Sequence, residues 1–133
     1  MALKDMIFEK EIIKTTGGEF SVRGLTTSDL LSLFREYDGE IQTISNGVSD
    51  GTFTDAHLVQ RLLTEAPLLA AAIITTAADE PEERDAVLKM PFGTQFFVIQ
   101  KIAELTFKDE GGVENFIRKV KLLLAKNRPT TST

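Results

Sequence analysis

At 133 residues the chain is long enough for one domain with a real core and short for two. Its apolar (42%) and charged (26%) fractions are ordinary for a globular protein, so wholesale disorder is not expected. A net charge of −5 removes the usual electrostatic drive for nonspecific nucleic-acid binding, and the absence of cysteine excludes disulfides, thiolate metal sites and cysteine nucleophiles.

Charges interrupt the opening MALKDMIFEK, so no signal-peptide core forms there. Residues Met6 to Lys14 are rich in β-branched and aromatic types. Thr15-Thr16-Gly17-Gly18 marks a turn, and Glu19 to Arg23 alternates with Phe20 and Val22 apolar. This pattern predicts a β-hairpin, which must pack on something to persist.

The period then changes to a helical one. Thr26-Thr27-Ser28-Asp29 has capping-box spacing, and Leu30, Leu33, Phe34, Tyr37, Ile41 and Ile44 follow on one helical face. Gly39 weakens that helix. Ser45 to Thr52, with Asn46-Gly47 and Asp50-Gly51, reads as an exposed loop.

Thr54 can cap the next helix, with Leu58, Val59, Leu62, Leu63 and Ala66 inward. Pro67 ends it and starts another, Leu68 to Ala78, apolar nearly all round and so read as buried on most sides. This longest apolar run is too short to span a bilayer, which takes about 20 residues.

The acidic stretch Asp79 to Asp85 opens a short helix to Met90, and Pro91 opens another with Phe92, Phe96, Ile99, Ile102 and Ala103 inward. Gly111-Gly112 breaks the chain before a last helix from about Val113 to Lys126. Its stripe is Val113, Phe116, Ile117, Val120, Leu123 and Leu124.

The expected fold is mainly α: an N-terminal β-hairpin followed by five or six packed helices. It forms a single domain over residues 1–126 with a polar tail, 127–133. Its expected core comprises Leu30, Phe34, Leu62, Leu69, Ile73, Ile99, Ile102, Phe116, Val120 and Leu123.

Little of this points to catalysis. His57 is the only histidine, sits near a helix start and reads as a surface residue. The acidic cluster Asp79, Glu80, Glu82, Glu83 and Asp85 lacks calcium-loop spacing and reads as charge complementing a helix N-terminus. Neither glycine pair matches a phosphate-binding fingerprint. The basic C-terminal end, from Arg118 to Arg128, has no interleaved aromatics to stack bases. No enzyme activity, metal or cofactor is expected. Apolar surface beyond one core stripe instead marks Leu68, Ile74, Phe97 and Val98 as candidate protein contacts.

The order of short motifs is informative. FSVRGLTTSDLLSLF is followed by LLTEAPLLAAAIITTAADEP, then VLKMPFGTQFFVIQKIAELTF, a Gly-Gly break and VENFIRKVKLLLAK. This order resembles the tail assembly chaperones of siphophages and related prophages, over roughly Phe20 to Lys126. The resemblance implies a protein that binds the tape measure protein and recruits tail tube subunits to it, the latter through a longer, frameshifted form. It further implies a protein that leaves before the tail is complete. The excess apolar surface points to a homo-oligomer, and the lack of a signal-peptide core or a membrane-length apolar run to the host cytoplasm. A structural tail or head-tail joining protein, or a nucleic-acid-associated regulator, is the alternative. Ala125-Lys126-Asn127 can be encoded GCA-AAA-AAC, which contains a slippery A-AAA-AAC run. Lys126 and Asn127 are therefore the expected frameshift point.

Overall fold

The computed structural model describes residues 9–46 and 55–108. Two strands, β1 (Lys10–Thr15) and β2 (Gly18–Arg23), precede six helices within the described residues. These are α1 (Thr27–Glu36), α2 (Asp38–Asn46), α3 (Asp55–Glu65), α4 (Pro67–Ala77), α5 (Arg84–Leu88) and α6 (Phe92–Thr106). The expected helix over 113–126 and the polar tail lie outside the described residues, as does Thr54.

β1 and β2 pair antiparallel, Thr15 opposite Gly18 and Lys10 opposite Arg23. Gly18 has φ 142°, a conformation that costs little only without a Cβ. The Thr15 Oγ1 hydroxyl donates to the Gly18 carbonyl at 2.8 Å and accepts from the Gly17 amide, which closes the turn. Period-two alternation sends Ile13 and Val22 into the core and leaves Ile12 in solvent.

The capping box at Thr26 forms as its spacing predicts. The Asp29 amide donates to Thr26 Oγ1, and the Thr26 amide donates back to Asp29 Oδ2. The helix breaks at Tyr37, whose backbone leaves the helical region, and α2 begins at Asp38, before Gly39.

Pro67 has no amide hydrogen to continue α3, yet it fits the first turn of α4. The chain therefore bends by 114° between the two helices. No single described helix is long and apolar enough to cross a membrane.

Helix α4 is the centre of the molecule. Ala70, Ala71 and Ala72 are buried, and such small side chains let β2, α3 and α6 approach closely. The buried Thr75 hydroxyl returns its hydrogen bond to the Ala71 carbonyl at 3.0 Å, so it strands no polar group. One cluster of buried side chains joins Ile13, Val22, Ala70, Ile74, Val98 and Ile102. A smaller one joins Leu33, Tyr37, Ile44, Leu69 and Ala72.

Arg23 fastens the hairpin to both neighbouring helices. Its guanidinium reaches Asp29 at the start of α1 and Asp79 just after α4, each at 2.8 Å, and donates to the Thr76 carbonyl. Asp79 ends α4 in the left-handed region, φ 59°, usually glycine's place. The amides of Asp79 and Glu80 donate to the Thr76 and Thr75 carbonyls and close the helix end.

Candidate protein-binding surfaces

Two concave surfaces are formed by described residues. The first is an apolar groove of about 260 Å³ walled by α1, α2, α3, α4 and α6. Only Thr106 among its lining side chains carries a polar group. That hydroxyl accepts from the Leu25 amide at 2.9 Å and donates to the Ile102 carbonyl at 2.7 Å. The groove thus suits an apolar occupant, since every polar group it would meet is already paired.

Phe34 stands at this groove, 49% exposed, and not in the core where its spacing had placed it. α1 buries Leu33 fully, and Phe34 projects 100° further round, beyond what α2 and α4 cover. Leu30, Leu62 and Ile73 are only partly buried and line the same groove. Leu69, Ile99 and Ile102 are buried as expected.

The second surface lies where the hairpin turn meets the head of α6. Thr15, Thr16 and Gly17 face Met90, Pro91, Thr94 and Phe97 across a cleft of about 580 Å³. Phe97, in this cleft, is 48% exposed, and Phe92, the first residue of α6 and outside the cleft lining, is 53% exposed. The Phe92 and Phe96 rings are 6.2 Å apart, and the Lys101 ammonium lies 5.7 Å from the centre of the Phe97 ring.

The four candidate contact residues divide evenly. Leu68 and Phe97 are exposed. Ile74 and Val98 are buried, 1% and 0% exposed, and neither can meet a partner unless the core opens. The reason for Val98 is Gln95. α6 buries Gln95, Val98, Ile99 and Ile102, so its inner face is rotated towards Gln95 and away from Phe92. A hydropathy pattern passes over a buried glutamine. This one is tolerated because its side-chain amide donates to the Met90 carbonyl at 3.0 Å and closes the α5–α6 turn. Ile74 is buried because α4 is covered by the hairpin and α6 on that side. Lys126 and Asn127 lie outside the described residues.

His57 is exposed on α3. Of the acidic cluster, Asp79 pairs with Arg23, whose hydrogen bonds hold its carboxyl below the usual 3.8. Asp29 is also held low. Partial burial opposes this, but hydrogen bonds from Arg23 and Thr26 outweigh it. No local signal marked Arg23 as a clamp, because Asp79 lies 56 residues away.

The whole chain, residues 1–133, matches the family model described as pre-tape measure protein. The chain belongs to that family. This makes it a phage tail-associated protein, in keeping with the resemblance read from its motifs. No curated protein and no solved structure matches it.

Proposed function

We propose that this pre-tape measure family member is a tail assembly chaperone. It binds apolar helical segments of the tape measure protein and helps recruit tail tube subunits to them. The observation that carries this reading is the half-exposed Phe92 and Phe97 at the head of α6, in an acidic chain of this family. An aromatic surface backed by a rigid helix contributes much of the energy when it covers an apolar helix, and net negative charge keeps the free chain dispersed. Leu68 is the second exposed contact. The protein acts without enzymatic activity, self-associates, works in the host cytoplasm and is left out of the finished virion. Slippage at Lys126 and Asn127 supplies a minor longer form that carries the tail tube contact.

Co-expression with the tape measure protein tests the reading. The native chain should raise the amount of soluble tape measure protein, and Phe97→Glu should weaken binding by about tenfold or more, the weight of one hot-spot aromatic. Unchanged solubility with the native chain would refute it. So would the protein's presence in purified virions, seen by mass spectrometry, which fits a structural tail component.

A further inference from the structure

We infer that the cleft between the hairpin turn and the head of α6 receives a helix whose apolar stripe is bordered by acidic side chains. The inference rests on the proposed binding role and names the kind of helix that the cleft selects.

The chain holds 20 acidic and 15 basic residues, so its overall charge attracts basic partners and repels acidic ones. The cleft departs from that balance. Among the described residues that line it, only Lys14 is charged. A second lysine, Lys101, places its ammonium 5.7 Å from the centre of the Phe97 ring, and Phe97 is part of the lining. Glu19 stands opposite Lys14 in the hairpin, and Glu104 lies 3.6 Å from Lys101. Both acids are exposed and neither lines the cleft, so water weakens their hold on the lysines.

The facing wall adds to the positive field. Pro91, Gly93 and Thr94 line the cleft at the start of α6, a helix of 15 residues. Pro91 at its N-cap gives no side-chain hydrogen bond, and the first turn holds no acid. The positive end of the helix dipole is therefore not offset there by a side chain. A carboxylate between the walls meets Lys14 from one side and the start of α6 from the other.

The remaining surface is apolar. Met90, Pro91 and the half-exposed Phe97 suit aliphatic or aromatic contacts. The Thr15 hydroxyl is already paired with Gly17 and Gly18, so it asks nothing of an occupant. A cleft of about 580 Å³ takes a few side chains of a helix laid across it, not the helix body. Apolar and acidic side chains three or four residues apart on one helix reach both kinds of surface at once. A lysine at the same place would be set against Lys14.

Two synthetic helices of about 20 residues test this. They share one apolar stripe and differ only in its borders, glutamate in one and lysine in the other. Fluorescence anisotropy reads their binding to the full-length protein. At about 50 mM salt the glutamate helix should bind at least about tenfold tighter, and the gap should shrink at about 500 mM. Lys14→Glu should abolish or reverse the preference. Arg35→Glu, the same change of charge at an exposed position on α1, should leave it in place. Both lysine and arginine are exposed, and circular dichroism checks that each variant folds. Equal binding of the two helices, tighter binding of the lysine helix, no binding of either, or a preference that survives Lys14→Glu would each overturn the inference. So would a low-salt oligomer that Lys14→Glu dissolves while neither helix binds, which would give the cleft to a second copy. Neither helix carries tape measure sequence, so the two readings fail separately. Loss of the preference with tape measure protein still solubilised removes the cleft inference alone. A preference without solubilisation removes the proposed partner and leaves the selectivity of the cleft standing.

Discussion

The two sides of α4 are packed to different standards. Towards the hairpin and α6, Ala70 and Ala71 keep the layers close, and Ile13, Val22, Ile74 and Val98 are nearly or wholly excluded from solvent. Towards α1 and α2, two short helices broken at Tyr37 leave Leu30, Leu62 and Ile73 only partly buried around a groove, with Phe34 exposed at it. Apolar content is high on both sides. What differs is whether a neighbouring element among the described residues completes the layer. A hydrophobic stripe therefore reports a demand for cover, and only the fold shows where that demand is met.

Substitutions can break this distinction, and the largest effects belong on the closed side. Val98→Asp should prevent folding, since the carboxylate would be buried without a partner. Ile74→Ala should cost about 2–5 kcal/mol in urea denaturation. Leu30→Ala, on the groove side, should cost about 1 kcal/mol, because less surface is removed from water. Equal losses at Ile74 and Leu30 would erase the difference between the two regions.

The Arg23 clamp sharpens the comparison, because it ties the hairpin and the end of α4 to the start of α1. Arg23→Ala should cost about 1–3 kcal/mol, the range for stranding partly buried hydrogen-bonding groups. The acid response should change with it. Asp29 and Asp79 are held below the usual 3.8 in the folded state, so the unfolded chain binds protons first as pH falls. Their contribution is present above that value and is lost as pH drops through the lower folded values. Thermal melts of the native chain should fall steeply below about pH 4. Melts of Arg23→Ala should fall less. Parallel acid profiles for the two chains would show that the clamp does not set the response.

The smallest effects are expected at the exposed contacts. Leu68→Glu and Phe97→Glu should each change stability by no more than about 0.5 kcal/mol. A loss comparable to that of Ile74→Ala would place them in the core and end their candidacy as contacts.

The sequence by itself determined everything set by short-range rules. The hairpin followed from alternation and a glycine turn, the start of α1 from a capping box, and the bend before α4 from a proline. The burial of α4 on most sides followed from its composition. These are decided within a few residues, where backbone sterics and hydrogen-bond spacing leave few choices. Tertiary structure alone decided which face of α6 turned inward, because buried Gln95 is satisfied by the Met90 carbonyl and hydropathy cannot anticipate that bond. It decided that Ile74 is core and Phe34 is not, because cover depends on where α2 and the hairpin come to rest. It also paired Arg23 with Asp79 across 56 residues. Such a contact exists only once the chain has folded, since its energy depends on distance in space and not along the sequence.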